Sequence, residues 1–452
     1  MPAVLMLVGG LLLLVTAIRL PSELGDSEEA APVSGQLCVG QPCRANSDQR
    51  PVRGYESPSI VADQSDPLHQ VVTDANLLAN RCSWHVTFDG GLTWEDGDFV
   101  IPAEFVRCEM NSNGFLAMGN AAMGAGGNVY VVLSSARVAG AGQEPRGESV
   151  LLVSSGDGGR TFSPAREILA AADGSRAYVR PLLSVAPTPE GVDRLLVSVW
   201  GCGDGRCEEG FFLRSDDGGT TFTPPLLVTP DPGGNSPSQP VLAADGSIYM
   251  TFLRRYGDGT AELLVARSGD DGKRFDAGVV DKQNNLGLRY ENAVIRVDPT
   301  RGWVYMVFTD TRDGPSKVFF RRSKDQGRTW ERVVRLHTGG GGRSYSPAMS
   351  VAPDGRIDVV FYRRGPNQID DVFATFSTDG GTRFADEEKL NAAPISRNLG
   401  YWNEVGEFYP PAVASSANTA FFVWSDTGYG TPVTNTQETL TRRVDRTTPA
   451  GD

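Results

Sequence analysis

Short, almost continuous apolar runs recur along the chain between turn-rich stretches: NVYVVL, RLLVSVW, SIYMTFL, WVYMVFT, RIDVVFY and TAFFVWS. Runs of this length, rich in β-branched and aromatic residues, predict strands. Apolar side chains at odd and even positions alike predict sheets covered on both faces. The aromatic ends Trp200, Phe252, Phe308, Phe361 and Trp424 are 52, 56, 53 and 63 residues apart. A second segment, often opened by Pro, recurs upstream of such strands: SPSIVAD, RPLLSVAP, QPVLAADG, ENAVIRVD, SPAMSVAPDG and PPAVASS. Long helical periodicity is absent, and 53 Gly and 29 Pro supply turns throughout, so the fold class is all-β.

A turn motif keeps the same period. Six copies of Ser-x-Asp-x-Gly-x-Thr-Trp/Phe can be read: TFDGGLTW, SGDGGRTF, SDDGGTTF, SGDDGKRF, SKDQGRTW and STDGGTRF. Their aspartates, Asp89, Asp157, Asp217, Asp270, Asp325 and Asp379, are spaced by 68, 60, 53, 55 and 54 residues. A carboxylate that accepts backbone N–H groups further along, followed by a Gly free to take φ > 0, makes a hairpin turn. The closing ring, Trp94, Phe162, Phe222, Phe275, Trp330 or Phe384, starts the next strand and can bury itself between sheets. Arg274 and Arg383 replace Thr in two copies, so the Thr hydroxyl is dispensable to the turn. One repeat is thus a four-stranded antiparallel unit with the turn between its third and fourth strands.

Such units arranged around an axis make a closed β-propeller, with seven blades favoured and six plus an appendage the alternative. The last unit, from about Phe408, has two clear strands and a third near TLTRRVD, but no turn motif. The segment before Tyr55 is expected to supply its missing outer strand and close the ring.

Charge adds an exclusion. Lys and Arg number 42 against 55 acids, net −13, with the signs interspersed. No basic block suits nucleic acid or an anionic lipid surface. The apolar run from Ala3 to Ile18 has the length of a signal-peptide core and is short for a membrane span; no Lys or Arg precedes it and no clean cleavage site follows it. It is read as an export signal, with a cleaved peptide and a retained membrane anchor both open. Six cysteines fall as Cys38 with Cys43, Cys82 with Cys108 and Cys202 with Cys207, read as three local disulfides of an exported chain. A zinc site is disfavoured because neither close pair is Cys-x-x-Cys and the three histidines are scattered. The boundaries are then 1–20 for the signal or anchor, 21–50 for a linker, 51–446 for the propeller and 447–452 for a tail.

The repeated motif resembles the Asp box, or BNR repeat, and a propeller carrying it resembles the sialidase superfamily, over residues from about 50 to 446. The resemblance implies that the box aspartates are scaffolding in outer turns, and that chemistry sits at the channel mouth. It implies three Arg for a substrate carboxylate, a Tyr nucleophile paired with Glu, and an Asp acid/base. Partial counterparts are Glu291 in RYENAV, Arg312 in FTDTRD, Arg343 in GRSYSP, Tyr409 in EFYPPAV and Asp74 in VVTDAN. Asp74, Glu291 and Tyr409 are the catalytic candidates; Glu56, Arg312, Arg343 and Tyr345 are the ligand-binding ones.

The first blade departs from the pattern. Where sialidases show Phe/Tyr-Arg-Ile-Pro, this chain reads Tyr55-Glu56-Ser57-Pro58, a negative charge where a cation would clamp an anion. A reversed charge in a desolvated site costs several kcal/mol. The expectation is therefore an exported propeller, without cofactor, that recognises a glycan or protein ligand at its mouth without catalysis. An exo-glycosidase of sialidase type and a structural envelope subunit are the alternatives. Tyr residues near inner-strand starts could line an aromatic rim, and the loop acids in GDGRCEEG and RYGDG are the stretches that could hold Ca²⁺.

Overall fold

A computed structural model describes residues 40–48, 50, 53–108, 120–138, 146–170, 176–188, 190–203, 206–229, 234–256, 258, 260–283, 293–336, 342–400 and 410–446. They fall in one compact unit, Ala31–Asp452. Seven antiparallel sheets are present, and in the first six the main strands lie in sequence order from the innermost outward. The first is Tyr55–Ala62, Gln70–Asn76, Arg81–Thr87 and Glu95–Asp98. The inner strands of the next five blades are Asn120–Met123, Arg176–Pro187, Gly234–Pro237 with Val241–Leu242, Val294–Val297 and Arg343–Val351. The seven-bladed propeller expected from the period is the fold observed.

Ring closure follows the expectation too. The seventh blade has Ala412–Ser415, Thr419–Asp426 and Glu438–Asp445 from the C-terminal part, and its outer strand is Cys43–Arg44, with Cys43 opposite Thr441. The outer strand lies in the stretch read as linker, so the ring begins about ten residues before Tyr55. The apolar run from Ala3 to Ile18 and the tail 447–452 lie outside the described residues.

The six Asp boxes share one hydrogen-bond pattern. In the second blade Ser155 Oγ donates to Asp157 Oδ1 (2.7 Å) and accepts from Gly159 N (2.8 Å), while Thr161 N and Oγ1 donate to the two Asp157 oxygens (3.0 and 2.6 Å). Where Thr is replaced, Arg274 N and Arg383 N keep the bond to Asp270 and Asp379 at 3.0 Å, so the turn survives without the hydroxyl. Each closing ring packs onto the preceding blade: Phe162 against Trp84 and Phe99, Phe275 against Phe212, Phe384 against Phe320. Trp94 closes the circle by packing with Phe421 and Val423 of the seventh blade. A buried aromatic of this kind contributes about 2 kcal/mol, so the box is an inter-blade fastener as well as a turn.

Cys82–Cys108 and Cys202–Cys207 are disulfides, Cys43 is disulfide-bonded, and no described cysteine is free. Cys38 lies outside the described residues. The bonds fit an oxidising compartment. Among the described residues no helix is long and apolar enough to cross a membrane.

Candidate functional site

Inner strands begin, and second strands end, at the same rim of the ring, opposite the Asp boxes. Three inner strands enter through the same device, a bulge with a non-glycine residue at positive φ before a proline. Ser57 (φ 58), Arg180 (φ 52) and Ser346 (φ 49) precede Pro58, Pro181 and Pro347. The register breaks at Glu56/Ser59, Val179/Leu182 and Tyr345/Ala348. Left-handed backbone costs about 1 kcal/mol per such residue, and a bulge re-aims the neighbouring side chain. The residues flanking these bulges include Glu56 and Tyr345.

Tyr345 is fully buried at the junction of the sixth and seventh blades. Its hydroxyl donates to Asp370 and accepts from Arg364 Nη2 (2.7 Å) and Arg397 Nη2 (3.0 Å). Asp370 is held further by Arg364 Nε (3.0 Å) and Arg397 Nε. Three guanidinium groups thus converge on one ring: Arg343 at 4.9 Å, Arg364 at 5.1 Å and Arg397 at 6.0 Å from its centroid. Burial pushes the Tyr345 hydroxyl far above its ordinary range. Burial also works to raise Asp370, but Arg397 and Arg364 outweigh it and hold the carboxyl below its usual value.

Glu56 is the reverse case. It is fully buried, neither carboxyl oxygen has a hydrogen-bond partner, and burial pushes it up to about 8 against the pull of Arg397. At neutral pH most of it is the uncharged acid.

Asp74 lies in the second strand of the first blade rather than on an open loop. Its Oδ1 receives His85 Nε2 at 3.1 Å, while His85 Nδ1 meets Asp96 Oδ1 at 2.7 Å. Burial alone would lower the imidazole, but the two carboxylates raise it to about 10, so the centre is a buried imidazolium clasped by two aspartates. Asp74 Oδ2 is buried without a partner.

Arg312 stands elsewhere, at the fourth-to-fifth blade junction. Its Nε donates to Asp310 Oδ2 (2.6 Å) and its Nη2 to Asp281 Oδ2 (3.0 Å), over the Phe319 ring. Glu291 and Tyr409 lie outside the described residues. The structure therefore brings Arg343 and Tyr345 together, keeps Arg312 and Asp74 apart from them, and adds Arg364, Asp370, Arg397, His85 and Asp96. Part of that was readable: Arg343 faces Arg364 across the first two strands of its blade, and His85 faces Asp96 across the third and fourth. Among the described residues no group of three or more His, Cys, Asp or Glu side chains is placed to hold a metal ion.

Seven four-stranded blades, six of them carrying an Asp box, define a BNR-repeat β-propeller. The family model described as a BNR repeat-like domain matches residues 85–359, and the chain belongs to that family. A xyloglucanase from Paenibacillus sp is 32% identical over 122 residues, which cover 26% of this chain and 11% of that protein. The chain thus spans about a tenth of the curated relative it matches. Among solved structures, an ulvan lyase bound to -[GlcA(1-4)Rha3S]- is 12% identical with a TM-score of 0.50, covering 82% of this chain and 91% of that one. The NanB sialidase of Streptococcus pneumoniae is 10% identical with a TM-score of 0.47, covering 83% of each chain. A Hadza microbial sialidase is 15% identical with a TM-score of 0.48, covering 84% of this chain and 74% of the other. At such identities the likeness is one of fold.

Proposed function

We propose that this chain is an exported, non-catalytic propeller that recognises an uncharged glycan at its channel mouth. The observation that carries the reading is the arginine cluster around Tyr345. Arg364 and Arg397 already spend donors on Asp370 and the Tyr345 hydroxyl, so an incoming carboxylate would have to displace a buried internal one. Glu56, at the position where the sialidase pattern has its first arginine, adds an unpaired buried carboxyl rather than a cation. Breaking a buried, hydrogen-bonded ion pair by removing one partner costs about 3–5 kcal/mol.

A Tyr nucleophile needs an ionisable hydroxyl, and Tyr345 is buried with its O–H hydrogen-bonded to the Asp370 carboxylate. Glycan recognition is supported by Tyr256, 40% exposed on the hairpin after the second strand of the fourth blade, its hydroxyl tied to Glu262 Oε2 at 2.7 Å. A fixed, exposed ring suits the apolar face of a sugar. The matched xyloglucanase is named for a polysaccharide substrate, in keeping with a glycan ligand. Export rests on the disulfides and the N-terminal apolar run.

The test is calorimetric titration of the purified protein with xyloglucan oligosaccharides and, separately, with sialyllactose. The reading expects a neutral oligosaccharide to bind, Tyr256→Ala to weaken it about tenfold through loss of one stacking contact, and sialyllactose to give no heat. Tight sialyllactose binding would overturn it.

A further inference from the structure

Charge is distributed unevenly over the blades. Counted from the start of the third strand to the end of the fourth, the six blades that carry an Asp box hold −3, 0, −2, −1, +5 and −4 in chain order. The fifth, Lys317–Arg335, has seven Lys or Arg against two acids, in a chain whose total is −13. Both acids are occupied. Asp325 is held inside its box by Ser323 Oγ and Thr329 N (each 2.8 Å), and Glu331 receives Arg322 Nε (2.7 Å) and Lys324 Nζ (2.8 Å). Arg321 reaches the fourth blade instead, its Nη1 donating to Val280 O at 2.7 Å. Arg328, Arg332 and Arg335 are exposed. Among the described residues no carboxylate is paired with Arg328 or Arg332.

The three arginines follow one line. Arg328 lies in the box turn and Arg335 in Val334–Arg335, the outermost strand of the blade, so they run along its outer edge from the box face towards the rim. Where that edge meets the sixth blade, Lys317 is driven below its ordinary value by burial first and then by Arg335 and Arg363, against the pull of Glu387, itself bound by Arg363. Crowded like charges destabilise the fold by self-repulsion, and a bound polyanion relieves that cost.

We propose that the outer edge of the fifth blade binds a linear polyuronate, a polysaccharide with a carboxylate on each sugar ring. The planar guanidinium fork matches a carboxylate, and a row of them matches a row of carboxylates. The neighbouring edges, at −1 and −4, repel a broad anionic partner such as a duplex or a membrane, whereas a single chain can follow the stripe. An acidic peptide would gain most by adding a strand to the edge, but Val334–Arg335 is two residues long and offers little ladder. Val334, 36% exposed between the cations, suits the apolar face of a sugar. This surface is apart from the channel mouth and stands whether or not a neutral glycan binds there.

The experiment uses the full chain. Polygalacturonate is titrated calorimetrically into the parent, into the triple variant Arg328→Gln, Arg332→Gln, Arg335→Gln, and into Arg166→Gln, which removes an exposed arginine from the fourth strand of the second blade. The parent should bind at about 50 mM salt and weaken steeply by about 200 mM, and the triple variant should bind at least about tenfold more weakly with a shallower salt slope. Arg166→Gln should match the parent, and the xyloglucan titration should be the same in all three, which separates this edge from the mouth. No binding by the parent, or a loss in Arg166→Gln as large as in the triple variant, would overturn the proposal. Polyglutamate of equal charge binding as tightly as polygalacturonate would overturn the polysaccharide assignment in favour of an acidic peptide. If the triple variant misfolds, Arg332→Gln alone decides, with an expected loss of about threefold; no loss there would count against the edge.

Discussion

Replacing Glu56 with Gln isolates the cost of one buried acid. The carboxyl ionises at about 8 in the folded chain against an ordinary value of 4.5. Below 4.5 both states hold the proton and the group is neutral in the comparison. Between 4.5 and 8 the unfolded chain gives up its proton while the folded one keeps it, so stability falls as pH rises. Above 8 the full penalty is present. At about 1.4 kcal/mol per pH unit, this reaches about 3 kcal/mol at pH 7 and between 4 and 5 kcal/mol above pH 8, as orders of magnitude. Gln has the same shape and no charge. Guanidinium unfolding from pH 5 to 9 should therefore show Glu56→Gln close to the parent at pH 5 and more stable by a few kcal/mol at pH 8.5, with unchanged m-value. Parallel pH profiles would refute the reasoning, since they would mean that water or Arg397 keeps Glu56 ionised at no cost.

The clasp at His85 carries the opposite charge logic. Its folded pKa is raised from 6.5 to about 10, so its contribution is whole below 6.5 and disappears as pH rises through 10. His85→Gln should cost about 3 kcal/mol at pH 6, because Asp74 keeps a buried charge without its cation, and should flatten the alkaline loss seen by urea unfolding. A loss at pH 6 no larger than that at pH 10.5 would contradict this. In the box of the fourth blade, Gly272 has φ +76 and a Cβ there would sit 2.4 Å from Phe212 Cε1. Gly272→Ala should destabilise by about 2–4 kcal/mol, read as a drop in melting temperature. A neutral effect would show that the box does not press on the preceding blade.

The parts of this molecule that are local in sequence were legible, and those that depend on inter-blade geometry were not. Ser155, Asp157, Gly159 and Thr161 make their bonds within one turn, so residue type and spacing carry the structure. Apolar positions on both faces of a strand such as RIDVVFY state directly that a sheet is covered twice. Closure by a strand before Tyr55 followed from counting, because a blade with three strands needs a fourth.

The cluster around Tyr345 joins residues from three separate stretches, Tyr345, Arg364 with Asp370, and Arg397, and nothing in their spacing announces the pairing. Glu56 reads in sequence as a charge offered to a ligand; the bulge at Ser57 and the packing of the seventh blade instead enclose it. Arg312 reads as a clamp, yet its own neighbour Asp310 and the distant Asp281 neutralise it. The charge of a rim residue is legible; whether it is already spent is a tertiary fact.

The most direct measurement of the central claim is turnover of a fluorogenic α-sialoside by the purified full chain, beside Tyr345→Phe, Tyr409→Phe and a known sialidase. The account predicts release at the rate of buffer alone for all three forms of this protein, with the sialidase active in the same plate. Sustained turnover by the parent chain that vanishes in either Tyr variant would contradict it, and would mean that the arginines around Tyr345 can release Asp370 to take up a substrate carboxylate.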